Sequence, residues 1–114
     1  MKQGLLSLSM LLALGGGGVH AASFDCGKAA APDEVAVCDS RNLSELDVKM
    51  ATLYNTVTKL VGMGVRGDLQ DQQRNFLRAR GDCGRAPACI RKLYEGGIHA
   101  LEAEVERIAR GGPY

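Results

Sequence analysis

The sequence predicts an all-α domain, a small antiparallel bundle of about four helices held together by two local disulfides. Three observations lead to this fold class. Apolar residues recur every three or four positions along most of the chain, and no segment shows the alternation of a strand. The four cysteines fall into two pairs that are close in the sequence. An apolar leader directs the chain to an oxidising compartment, where disulfides form and persist.

The first residues have the pattern of a secretory signal peptide. Lys2 precedes an apolar run, Leu5–Leu14, which is followed by four glycines. A transmembrane helix needs about 20 apolar residues, so this run is too short to be one. The small residues Val19 and Ala21 suit the positions that a signal peptidase reads. We therefore predict that residues 1–21 are a signal peptide, cleaved after Ala21.

Residues 22–114 are predicted to form a single domain in the periplasm, or one that is fully secreted. Cys26 follows Ser-Phe-Asp rather than small apolar residues, so no membrane anchor is expected. Cleavage would remove Lys2, one of the 14 lysines and arginines, and leave 13 basic residues against 13 acidic ones. Because there is no basic excess, neither nucleic acid nor an anionic membrane is an expected partner.

The four cysteines are predicted to form structural disulfides. An exported chain of this size has a modest core and gains stability from covalent links. Zinc sites usually bring cysteines together in closer pairs, and the thioredoxin-like C-x-x-C motif is absent. Four cysteines allow three pairings. We predict the local one, Cys26 with Cys38 and Cys83 with Cys89, because short loops of this kind rigidify helix ends.

The first two helices follow from the apolar period and from residues that begin and end helices. A short helix near Pro32–Cys38 opens with proline and two acidic residues, which suit a first turn. A long helix starts near Asn42 and ends at Gly62 and Gly64. Its apolar stripe consists of Leu43, Leu46, Met50, Leu53, Tyr54, Val57 and either Leu60 or Val61.

A third helix is predicted after a Gly-Met-Gly-Val-Arg-Gly loop, with Asp68 as its N-cap. One of its faces carries Leu69, Gln73, Phe76, Leu77 and Arg80. The last helix starts at Pro87, and its apolar period continues through Gly96 and Gly97. Each glycine costs about 1 kcal/mol relative to alanine, so we expect a kink or fraying there rather than a helix end.

Four segments, "FDC", "EVAVCDSRNLSELDVKMATLY", "QQRNFLRARGDC" and "CIRKLY", carry a resemblance to a known family. The most specific features are Glu34 four residues before the second cysteine, a Leu-x-x-Leu-Asp run followed by Tyr54, and a Gln-Arg-x-aromatic-Leu-x-x-Arg run ending at Arg80. In these features the chain resembles the lysozyme inhibitor LprI-like family, small exported helical proteins with paired cysteines. The resemblance extends from Phe24 to about Leu101.

Two positions depart from the family pattern. Phe76 stands where the family usually has tryptophan, a change that keeps an aromatic ring for packing. Gly97 stands where the family often has arginine. Characterised members inhibit lysozyme, so the resemblance implies that this chain binds a lysozyme or another muramidase.

Four polar residues are expected to form a network that fixes the register of the helices: Asp47, Gln73, Arg74 and Arg80. They lie on or beside the predicted apolar stripes, where a charged side chain needs a partner. No catalytic residue, metal site or cofactor is predicted. His99 is the only histidine outside the signal peptide, and no serine or cysteine has a matching base for nucleophilic catalysis.

Two functional hypotheses from different classes follow. In the first, the protein blocks a muramidase by presenting a donor-rich side chain to the two acidic groups of its cleft. Arg66 in the glycine-rich loop and Arg85 between Cys83 and Cys89 are the predicted contacts. In the second, the protein does not inhibit an enzyme and instead binds another envelope protein through a helical face.

Overall fold

The computed structural model describes residues 22–111, and this part of the chain is all-α with two disulfides, as predicted. The predicted signal peptide lies outside the described residues. A short 3-10 turn at Cys26–Lys28 precedes the helices, whose bounds are α1 Pro32–Asp39, α2 Arg41–Leu60, α3 Met63–Asp82 and α4 Pro87–Ala109. Within 22–111 no helix has the length and apolar character that crossing a membrane requires.

The three long helices form an up-down-up bundle. Short connections make α3 antiparallel to both α2 and α4, so α2 and α4 run parallel and share the largest interface. Their contacts show this parallel direction, because residues further along α2 meet residues further along α4. Asn42 near the start of α2 accepts a hydrogen bond from Arg91 at 3.1 Å, and Lys49 pairs with Glu102 at 3.0 Å.

The core lies between the apolar stripes of α2 and α4 and is closed by α1 and α3. The α2 stripe is the predicted one, and of the two alternatives at its end Val61 is buried while Leu60 is exposed. The buried apolar residues of the described chain are Ala22, Val37, Leu43, Met50, Val57, Val61, Leu69, Ile90, Tyr94, Ile98 and Leu101. A single continuous core therefore includes residues from every helix.

The last turn of α1 is held by a disulfide and by a buried hydrogen bond. The Cys26–Cys38 disulfide links its last turn to the preceding 3-10 turn. The hydroxyl of Ser44 in α2 donates to the carbonyl oxygen of Val37 at 2.6 Å, in a buried position. Ser40 caps α2 by accepting a hydrogen bond from the amide of Leu43. The chain can thus turn sharply between α1 and α2 without leaving these groups unsatisfied.

The start of α3 differs from the prediction. The Gly-Met-Gly-Val-Arg-Gly segment is helical from Met63 rather than a loop, Gly62 is the N-cap, and Asp68 lies inside the helix. The Arg66 guanidinium donates to the carbonyl oxygens of Thr58 at 2.8 Å and Val61 at 3.0 Å, at the end of α2. These tertiary contacts outweigh the helix penalty of about 1 kcal/mol that each glycine carries.

The helix α4 runs without interruption through its two adjacent glycines, in agreement with the predicted continuity. Gly97 faces α2, where a Cβ atom would lie 2.7 Å from the Met50 Cε. Gly96 is exposed, and a Cβ there would meet no heavy atom within 4 Å. The two glycines therefore have different reasons to be present, since only Gly97 is needed for packing.

Replacing Gly96 with alanine is expected to raise the free energy of unfolding by about 0.5–1 kcal/mol, because alanine loses less backbone entropy in a helix. Urea denaturation measures the change. Gly97→Ala is the matched control, and its gain should be smaller because the Met50 side chain must move aside. Equal gains from both substitutions would contradict the close contact between Gly97 and α2.

Candidate functional site

A buried polar network lies between the four helices, and each helix contributes one side chain to it. Asp33 comes from the first turn of α1, Asp47 from α2, Arg80 from the last turn of α3 and Tyr94 from α4. The side chains of the three charged residues are only 7–9% exposed. Burial on this scale requires that the charges be paired, because an isolated ion in a protein interior is costly.

Arg80 is the centre of this network. Its Nε donates to the Oδ2 of Asp33 at 2.6 Å, and its Nη1 donates to the hydroxyl of Tyr94 at 3.0 Å. The Tyr94 hydroxyl in turn donates to the Oδ1 of Asp47 at 2.9 Å. The backbone amide of Ser23 donates to the other oxygen, Oδ2, at 2.6 Å. The segment before α1 is therefore linked to α2, α3 and α4 through one connected set of hydrogen bonds.

Aromatic rings surround the Arg80 guanidinium. Its central carbon lies 5.5 Å from the ring centre of Phe24 and 6.0 Å from that of Phe76. Phe76 also meets Tyr94 edge to face, with ring centres 5.0 Å apart. These distances suit a cation–π attraction and a favourable aromatic pair. Phe76 therefore contacts both the cation and the tyrosine of the network.

The network changes the pKa values of two of its members. Burial raises the pKa of the Tyr94 hydroxyl well above its usual value, and the negative charge of Asp47 raises it further. Burial acts to lower the pKa of Arg80, but the hydrogen bond to Asp33 and the proximity of Tyr94 outweigh it, so that pKa is raised. Arg80 therefore stays charged and Tyr94 stays neutral at any pH at which the protein would work.

We expect stability to fall as the pH rises above about 10, where tyrosine in the unfolded chain loses its proton. Folded Tyr94 keeps its proton because its pKa is raised, so the folded state binds one more proton than the unfolded state. The free energy of unfolding should then fall by about 1.4 kcal/mol per pH unit from this residue.

Urea denaturation of the wild type and of Tyr94→Phe, between about pH 9 and about pH 11, tests this expectation. Both proteins contain the same lysines, so the difference between their slopes isolates Tyr94. Parallel slopes would show that the pKa of Tyr94 is not raised by folding.

A cavity of about 260 Å³ lies beside the network. Its lining includes the buried residues Arg80 and Asp47 and the exposed residues Ser23 and Leu77. The rest of the lining is mixed in polarity and consists of Phe24, Glu34, Met50, Ala51, Gln73, Phe76 and Tyr94. The network therefore has one side that faces a space large enough for a small ligand.

The sequence predicted part of this site. Asp47 and Arg80 are joined through Tyr94. Gln73, which was also predicted to belong to the network, lines the cavity but makes no hydrogen bond with the described residues. Arg74 was predicted to belong to the network, but it is exposed and pairs with Asp71 one turn away on α3. Arg74 lies six positions before Arg80, which is not a whole number of helical turns at 3.6 residues per turn. The two side chains therefore leave α3 on different sides.

Two members of the network were missed by sequence reasoning. In the sequence, Asp33 is one of the two acidic residues that suit the first turn of the first helix, and Tyr94 is one position in the apolar period of the last helix. The available signal was the hydroxyl of Tyr94, because a buried tyrosine usually needs a hydrogen-bond partner. Asp33 carried no such local signal.

The two arginines predicted to bind a partner differ in their surroundings. Arg66 is half-buried and holds the end of α2 through the two hydrogen bonds described above. Arg85 is exposed on the loop between α3 and α4, and its side chain makes no hydrogen bond or ion pair with residues 22–111. Of the two, Arg85 has its donors available to another molecule.

The described part of the chain contains no group of three or more histidine, cysteine, aspartate or glutamate side chains placed to hold a metal ion. Two acidic residues of α4 form ion pairs with basic side chains. Glu102 pairs with Lys49, and Glu104 pairs with Arg107 at 2.7 Å.

No protein-family profile, curated protein or solved structure matches the chain. The resemblance to the LprI-like family therefore rests on the sequence segments quoted above.

Proposed function

We propose that this protein is exported and that it binds and blocks a muramidase, with Arg85 as the residue that enters the enzyme's cleft. The observation that carries the proposal is an exposed, unpaired arginine on a short loop closed by a disulfide. The resemblance to lysozyme inhibitors and the predicted signal peptide support it from the sequence. Muramidases act on the cell wall, outside the cytoplasm, where an exported protein could meet them.

The loop that carries Arg85 is constrained at several points. Cys83 and Cys89 close it covalently, and it connects the end of α3 directly to the start of α4. Gly84 adopts a φ of 56°, a conformation that other residues rarely adopt, and Pro87 begins α4. A stiff loop loses little entropy when it binds, which favours affinity.

The chemistry of arginine suits the target. Glycoside hydrolases flank the scissile bond with two carboxyl groups, and an inhibitor must offer donors to them. The guanidinium group is planar, permanently charged and able to bind a carboxylate through two hydrogen bonds. Arg85 would thus contact the two groups that perform the enzyme's chemistry, and its presence would exclude substrate.

The substitution Arg85→Ala is expected to weaken inhibition of a susceptible lysozyme by about 2–5 kcal/mol, because it removes one partner of a desolvated charge contact. Its melting temperature and helical signal should match the wild type. The measurement is hydrolysis of bacterial cell wall in the presence of the purified, oxidised protein. A panel should include lysozymes of several types and bacterial toxin muramidases.

The matched variant is Arg66→Ala, which removes an arginine with a different role. It should lower the free energy of unfolding by about 1–2 kcal/mol, because two hydrogen bonds to the end of α2 are lost. The folded fraction should still inhibit. Inhibition that survives Arg85→Ala but is lost in folded Arg66→Ala would contradict the proposed role of the loop.

A second candidate function is binding to another envelope protein without inhibition. It is favoured by a shallow, mostly apolar depression of about 490 Å³ between α3 and α4. Ala79, Leu93 and Gly96 are among the residues that form it, and a helix of a partner could pack there. Failure to bind any muramidase of the panel at about 100 μM would favour this candidate over the first.

A further inference from the structure

The cavity beside the Arg80 network has the features of a small binding site. We infer that it binds a primary ammonium group next to a neutral carbonyl, the arrangement found at the N-terminus of a peptide. This inference is independent of the proposed muramidase contact, because Arg85 does not line the cavity.

The lining of the cavity includes an acceptor. Glu34 lines it, and its carboxylate makes no hydrogen bond or ion pair with the described residues. Asp47 also lines the cavity, but both of its oxygens already accept hydrogen bonds, one from Tyr94 and one from Ser23. Glu34 is therefore the carboxylate that is available to an ammonium group.

The lining also offers donors. Arg80 uses its Nε and Nη1 atoms within the network, whereas its Nη2 makes no hydrogen bond to the described residues. No side-chain nitrogen or oxygen of the described chain is both fully buried and without a partner, so Nη2 retains some accessible surface. Arg80 is among the residues that line the cavity. The amide of Gln73 lines the same space and is also without a partner. Both groups can donate to a carbonyl oxygen.

The balance of charge selects a neutral acceptor on the ligand. Asp33, Glu34 and Asp47 carry three negative charges in the wall or directly behind it, against the one positive charge of Arg80. The site therefore has an excess of two negative charges on this count, and an excess of one after cleavage behind Ala21, which leaves a terminal ammonium group on Ala22 next to Ser23. A carboxylate or phosphate on the ligand would meet this excess, whereas an ammonium group would be attracted by it.

The walls and the size of the cavity limit the ligand further. Phe24, Met50 and Leu77 provide apolar surface for a short side chain. A volume of 260 Å³ lies just below the range of about 300–1,000 Å³ that is usual for pockets of drug-sized ligands. The site thus suits an amino-acid amide or the first residue of a peptide.

Four probes of similar shape separate the parts of this inference. Leucinamide has both the ammonium and the neutral carbonyl, isoamylamine lacks the carbonyl, N-acetyl-leucinamide lacks the charge, and leucine has a carboxylate. Each is titrated into the purified, oxidised protein to about 20 mM, so that dissociation constants in the millimolar range are detected. The signals followed are the backbone amide of Ser23 and the side-chain amide of Gln73 in two-dimensional NMR spectra.

We expect saturable shifts of both signals with leucinamide, and an affinity at least about tenfold higher than for the other three probes. The absence of shifts, or shifts that spread over the surface, would overturn the inference. Equal binding of isoamylamine would show a simple cation site without the carbonyl contact. If leucine or N-acetyl-leucinamide bound as tightly as leucinamide, the argument from the negative charge of the site would be refuted.

Two variants complete the test. Glu34→Gln should lower the affinity for leucinamide at least about tenfold, because it removes the charge that the ammonium group meets. Glu95→Gln is the matched control, since Glu95 is exposed on α4 and does not line the cavity. Unchanged binding in folded Glu34→Gln would overturn the assignment of the ammonium end. Neither variant alters Arg85, so inhibition of a muramidase should be unaffected.

Discussion

Replacing Arg80 with methionine is expected to lower the free energy of unfolding by about 3–5 kcal/mol, because it leaves buried carboxylates without their positive partner. Methionine has a similar length and still fills the space between Phe24 and Phe76. The loss would therefore come mainly from the unpaired charges of Asp33 and Asp47 and not from a cavity. Urea denaturation at neutral pH measures it.

Arg78→Met is the control for this substitution. Arg78 is exposed on the same helix two residues earlier, so its loss should change stability by no more than about 0.5 kcal/mol. Adding Asp33→Asn to Arg80→Met should restore part of the stability, because one of the unpaired charges is then removed. Similar effects of the two arginine substitutions would show that the buried network does not stabilise the fold.

Removing both disulfides is expected to lower stability by about 5 kcal/mol, which is comparable with the total stability of many small domains. On the loop-entropy account, the Cys26–Cys38 link spans 12 positions and contributes about 3 kcal/mol. The Cys83–Cys89 link spans 6 positions and contributes about 2 kcal/mol. Paired cysteine-to-alanine variants, compared by urea denaturation, measure each contribution.

The two disulfides should also differ in their effect on the Arg80 network. Loss of Cys26–Cys38 frees the segment that carries Phe24 and the Ser23 amide, so the Arg80 network should loosen with it. Hydrogen exchange at the Ser23 amide reports this effect. Loss of Cys83–Cys89 should leave that amide protected. Faster exchange after removal of Cys83–Cys89 alone would contradict this division, and peptide mapping without reduction confirms the pairing in each variant.

Several elements of the fold could be predicted because their causes are local. Apolar residues at every third or fourth position can be recognised within a single stretch of sequence. This spacing predicted α2 and α4, including the continuation of α4 through Gly96 and Gly97. Pro32 and Pro87 begin their helices because a missing amide proton does no harm in a first turn. The cysteine pairs formed as predicted, since both loops are short.

The start of α3 could not be predicted, because its cause is not local. Judged by propensity alone, the glycine-rich segment before Asp68 should not be helical. It is helical because Arg66 reaches the end of the preceding helix and bonds its last carbonyl groups. The same contact occupies donors of Arg66, whereas Arg85 is exposed on the loop between α3 and α4.

The helical class, the two disulfides and the presence of Asp47 and Arg80 in a polar network could all be predicted from the sequence. Only the tertiary structure determined the other members, because Asp33 lies 47 positions from Arg80, and Tyr94 lies 47 from Asp47. Arg74 and Arg80 look alike in the sequence, yet one is at the surface and the other is buried. A helical period fixes which residues share a face, whereas the partner of a buried charge depends on where the helices cross.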